Sequence, residues 1–90
     1  MEETTKPVLP QTLAEAHEAV AAIRPSRTAP LTEWLAYHQQ SAALYAEVAE
    51  IDRGHHHETL FMAERERQSA KEIKTKISHQ HPTVEEGRLR

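Results

Sequence analysis

The stretch IDRGHHHETLFM, residues 51–62, decides how this chain folds, because Gly54 is the only glycine within the helically patterned region from 31 to 77. It lies close to the midpoint of that region. A break there yields two helices of similar length, as an antiparallel hairpin requires. Gly54 is then expected as the residue after the helix end, in a left-handed conformation. The alternative is one long helix through Gly54, which costs only about 1 kcal/mol relative to alanine. Leu35, Ala42, Ala49, His56, Ala63, Ala70 and Ile77 support it with an unbroken heptad register. The companion seam of His38, Tyr45, Asp52, Thr59, Glu66 and Ile73 is poor for a coiled coil. The polar residues cluster where a turn would fall, so the hairpin is the expected arrangement.

Upstream of this stretch, Leu31 to about Arg53 carries the strongest helical pattern, with Trp34, Tyr37, Leu44, Val48 and Ile51 on one stripe and Ser41 as its gap. Leu35, Ala42, Tyr45 and Ala49 widen the stripe, so this helix should pack against two neighbours. Pro30 is placed as its first residue. Before the linker RPSRTAP, a short helix should begin at Thr12, with Glu15 completing a capping box, and end at Pro25. Leu13, Ala16, Val20 and Ile23 give its spacing. Downstream, a third helix is expected from about His56 to Ile77, its buried side marked by Leu60, Ala63, Ala70, Ile73 and Ile77 and broadened by Phe61 and Met62. Its second half is charged, so burial should fade there. The fold class is thus all-α, a short N-terminal helix followed by a two-helix hairpin in a three-helix bundle. Residues 11–78 form the helical domain, between a disordered arm (1–10) and a disordered tail (79–90).

Composition narrows the list of functions. A chain of 90 residues with one Trp, one Phe and 38% hydrophobic residues has a thin, alanine-rich core and gains from a partner. The absence of cysteine excludes disulfides and thiolate chemistry and suits a cytoplasmic setting. No apolar run is long enough to span a membrane, and MEETTKP is not a signal peptide. A net charge of −3 argues against nucleic acid, and Arg65, Arg67, Lys71, Lys74 and Lys76 are interleaved with Glu64, Glu66 and Glu72.

The seven histidines include three in succession, His55, His56 and His57. Adjacent helical residues lie about 100° apart, so the three cannot face one point. Asp52, His55 and His56 are related by three and four residues and would share a face of a helix. With His57, or with His38 from a folded-back helix or a second subunit, they form a candidate site for zinc, nickel or copper. The plainer reading is a polar turn rich in histidine, and no resident cofactor is expected. Protonation of all seven would move the formal charge from −3 to −3 + 7 = +4, so a pH switch is a further alternative. Ser41 with His38 one turn earlier lacks an orienting third group, and Glu47 with Glu50 is a surface pair, so no enzyme is expected.

The residues Glu33-Trp34, Tyr45-Ala46-Glu47, the run Asp52-Arg53-Gly54-His55-His56-His57-Glu58, and Glu64-Arg65-Glu66 resemble a family of short, uncharacterised actinobacterial helical proteins. The resemblance covers about residues 29–70. It implies a cytosolic helical protein and carries no activity. Phe61-Met62 stands where the family has Tyr-Trp, which keeps the apolar character. The expected function is a protein-interaction or regulatory module, homodimeric or bound to another protein, with Trp34, Tyr37, Leu44, Tyr45 and Phe61 as core or contact surface. The alternative is a transition-metal-binding helical protein.

Overall fold

A computed structural model of the chain describes residues 9–80, and all its regular elements are helical: α1 (Leu13–Ala22), α2 (Leu31–Ile51), a single 3₁₀ turn (Arg53–His55) and α3 (His56–Gln80). Leu9 and Pro10, expected in the arm, lie outside any helix, whereas His79 and Gln80, expected in the tail, complete α3. The rest of the expected arm and tail, residues 1–8 and 81–90, lies outside the described residues.

Thr12 starts α1 as anticipated. Its backbone is extended and its hydroxyl accepts from the Glu15 N–H at 3.1 Å. Glu15 Oε1 accepts in turn from the Gln11 N–H at 2.8 Å, one residue further back than a standard capping box would reach. Pro30 caps α2 instead of opening it. Its ψ of 156° is extended, and its carbonyl accepts from Glu33 and Trp34 N–H groups.

The chain reverses where expected, but by a different device. Among the described residues no φ is positive, so Gly54 is not left-handed. Asp52 leaves the helix instead, with φ −92° and ψ 75°, and its carbonyl accepts from the His55 N–H at 3.0 Å to close the 3₁₀ turn. The continuous helix is thereby excluded, and α3 returns antiparallel along α2. A Cβ built on Gly54 would meet nothing within 4 Å. Gly54→Ala should therefore stabilise the protein by about 0.4–1 kcal/mol, by restricting the unfolded chain. A lower thermal midpoint for this variant would show that the turn needs glycine after all.

The α2–α3 seam runs through Ala42 and Ala49 on one side and Ala63 and Ala70 on the other, all buried. Alanine on both sides permits the close interaxial approach of packed helices, roughly 8 Å. Around it, Tyr37, Tyr45 and Val48 of α2 meet Ala16 and Val20 of α1 and Ala63 of α3, with Leu13, Trp34, Leu44, Ala46 and Met62 half-buried against them. On α3 the buried residue of the first turns is Thr59, fully enclosed, while Leu60 and Phe61 are exposed. That corrects the expected position of Leu60. The helix starts at a phase that puts Thr59, Ala63 and Ala70 on one line, and the Thr59 hydroxyl is satisfied by the His55 carbonyl at 2.6 Å. Burial fades beyond Ala70, with Ile73 and Ile77 only half-covered. Among the described residues, no helix is long and apolar enough to cross a membrane.

Candidate functional site

The corner between α2 and α3 holds the histidine run, and its hydrogen bonds are mostly structural. Asp52 Oδ2 accepts from the Leu13 N–H at 3.0 Å, which caps α1 from another element, and also lies 3.0 Å from His55 Nδ1. The Leu13 N–H holds the Asp52 carboxyl below its ordinary value against a smaller opposing effect of desolvation, and His55 adds to the lowering. A carboxyl depressed in the folded state contributes stability above its unfolded value and loses it as the pH falls through the folded one. The thermal midpoint should therefore decline as the pH drops below about 4. Asp52→Asn should flatten that part of the acid limb, and an unchanged limb would count against the cap.

His56 Nδ1 lies 2.8 Å from the Ala49 carbonyl, which can only accept, so that nitrogen carries the ring's proton there. His57 stands edge-on to His56 with ring centroids 5.4 Å apart. The expected metal set of Asp52, His55, His56 and His57 is therefore not assembled. The Asp52 oxygen serves as a helix cap, one His56 nitrogen faces the backbone, and successive residues diverge around the helix. Among the described residues, no group of three His, Asp or Glu side chains is placed to hold a metal ion. His38, considered as a further ligand, lies along the hairpin with Nδ1 2.6 Å from Glu66 Oε1, both groups largely covered.

That pair belongs to a polar line through the bundle. Tyr45, 2% exposed, has its hydroxyl 2.8 Å from His17 Nδ1 on α1. Burial, then the neighbouring Glu66 and Tyr37, push the Tyr45 phenol above its ordinary value. Ser41 is fully buried between these groups, and its Oγ has no partner among the described residues. His38 is committed to Glu66, so Ser41 and His38 are not joined as a nucleophile and base.

Beside this line, α1 stops short of closing against α3. The open groove holds about 500 Å³ and is lined by Leu13 and His17 of α1 and by His57, Glu58, Phe61 and Met62 of α3. Phe61 forms its outer wall and is 62% exposed. The expected contact surface is thus divided. Tyr37 and Tyr45 are core, Trp34 and Leu44 are half-buried against it, and Phe61 alone faces solvent. Trp34 is covered from outside by the Arg24 guanidinium, 5.2 Å from the ring centroid. Sequence reasoning missed the groove roles of Leu13 and His17. Their spacing of four residues marks one face of α1, but nothing in the pattern points to a partner 28 residues away. The chain matches no family model, no curated protein and no solved structure.

Proposed function

We propose that this chain is a small helical protein-interaction module that self-associates as a homodimer, with the groove between α1 and α3 as its contact surface. The observation that carries this reading is Phe61, an aromatic side chain 62% exposed on the wall of an open groove beside Leu13 and Met62. A large apolar side chain left in water beside an apolar hollow is the usual mark of a contact site. Burying it is worth about 1.5–3 kcal/mol, twice over in a two-fold dimer. The thin core supports the same conclusion, since a chain of this size gains stability from association. The proposal includes a cytoplasmic setting, in keeping with the lack of cysteine, and membership of the actinobacterial family that the DRGHHHE run resembles.

Light scattering over a concentration series tests it. The wild type should reach twice the monomer mass, and Phe61→Asp should stay monomeric with unchanged helicity by circular dichroism. A wild type that remains monomeric at the highest attainable concentration would refute the reading.

A further inference from the structure

The linker between α1 and α2 carries chemistry that neither the core nor the groove uses. It reads Arg24-Pro25-Ser26-Arg27-Thr28-Ala29-Pro30 and runs outside any helix, with Arg24, Ser26, Arg27 and Thr28 all exposed. The Ala29 N–H bonds the Ser26 carbonyl at 3.0 Å and fixes the turn that presents them. A kinase needs a hydroxyl on an accessible, non-helical segment, which is where surface loops place function. Among the described residues, Thr12 is committed to the α1 cap, Ser41 and Thr59 are enclosed, and the remaining Ser and Thr hydroxyls outside this linker lie within helices.

Within the linker, Ser26 has the surroundings of a phosphate. Arg24 precedes it by two residues and Arg27 follows it directly. None of the ion pairs among the described residues involves either arginine. The Ser26 Oγ already accepts from the Thr28 N–H at 3.1 Å and lies 3.1 Å from the Thr28 hydroxyl. A phosphate on that oxygen would set acceptor atoms beside both donors and bring about −1.5 to −2 of charge between two guanidinium groups.

We propose that Ser26 is a phosphorylation site whose phosphate draws Arg24 away from Trp34. In the transfer, Ser26 Oγ attacks the γ-phosphorus of a nucleoside triphosphate held by a protein kinase. The new O–P bond replaces the bond to the β–γ bridging oxygen, the nucleoside diphosphate leaves, and the hydroxyl proton passes to the kinase's base. The Arg24 guanidinium now stands 5.2 Å from the Trp34 ring centroid. That attraction of a cation for a ring is weaker than a charge-assisted pair with a phosphate dianion. Only Pro25 separates Arg24 from Ser26, so the phosphate forms within reach of the side chain that covers the indole. Trp34 is packed on its inner side against the core, and loss of Arg24 uncovers its outer side. One covalent change thus controls the exposure of an aromatic surface of the kind that protein contacts favour.

Trp34 is the single tryptophan of the chain, so its fluorescence reports on this place alone. Phosphoserine is incorporated genetically at position 26 of the full chain, and quenching of the emission by acrylamide is compared with the unmodified protein. The phosphoprotein should be quenched more strongly, to the level that Arg24→Ala reaches without phosphate, with helicity by circular dichroism unchanged. Phosphate added to Arg24→Ala should change the quenching no further. Equal quenching with and without phosphate, a loss of helicity, or a phosphate effect that persists in Arg24→Ala would overturn the proposal. Tandem mass spectrometry of the protein isolated from its own cells, growing and stationary, tests the modification itself. A phosphoryl group on Ser26 supports it, and an unmodified Ser26 in both states, or phosphate confined to Thr28, refutes it.

Discussion

Tyr45→Ala is expected to lower the thermal unfolding midpoint by roughly 15–30 °C, equivalent to about 3–5 kcal/mol in a domain of this size. Tyr45 is the largest of the fully enclosed side chains, and it joins α1 to the hairpin. Two features place the loss toward the upper end. Its cluster includes Ala16 and Ala63, which have no side-chain reach with which to fill the space left behind, so the cavity persists. The same change also removes the hydroxyl that bonds His17 Nδ1 across the α1–α2 contact. Tyr45→Phe separates the two effects. It keeps the ring and removes only the hydrogen bond, so it should cost about 1 kcal/mol. Circular dichroism melts of the three proteins give both numbers. A midpoint for Tyr45→Ala within about 5 °C of the wild type would mean that the core is centred elsewhere.

How much of this could be read beforehand depends on the kind of interaction. The helices, the reversal near Gly54 and the antiparallel hairpin follow from periodicity and turn chemistry, which are local. The heptad of Leu35, Ala42, Ala49, Ala63, Ala70 and Ile77 supports a continuous helix when read along one line, yet it is the seam along which the two halves of a folded hairpin meet. The companion positions looked too polar to pack. In the fold each finds a partner: His38 pairs with Glu66, Asp52 caps α1, and Thr59 bonds the His55 carbonyl. A one-dimensional pattern registers polarity but not partners, and those partners lie up to 39 residues apart. The groove was hidden for the same reason. Phe61 reads as core or contact surface alike until the phase of α3 is fixed, with Thr59 inward and Phe61 exposed. The histidine run reads first as a polar turn, with metal binding as the alternative. In the fold Asp52 and His56 are engaged in holding that corner.

Ala63→Leu should destabilise the protein by about 1–3 kcal/mol, lowering the midpoint by roughly 5–20 °C, and it should weaken self-association as well. Ala63 is completely enclosed in the cluster it shares with Tyr37, Tyr45 and Val48 of α2. Three added carbons have no void to enter, so α3 must move away from α2. The intrinsic helix preferences of the two residues are close, and the cost is therefore one of packing. Phe61 and Met62 immediately precede Ala63, so a displacement of α3 changes their distance from Leu13 and His17 and alters the groove. Ala70→Leu is the control. It makes the same chemical change on the same seam two turns later, where the site is 7% exposed and burial is ending, so a leucine there can lean into solvent. Its cost should be under about 1 kcal/mol, with the dimer unaffected. Equal losses at the two positions would show that the helices are not gripped most tightly around Ala63. A destabilised Ala63→Leu that still dimerises with wild-type affinity would show that the groove is not built on this part of the seam.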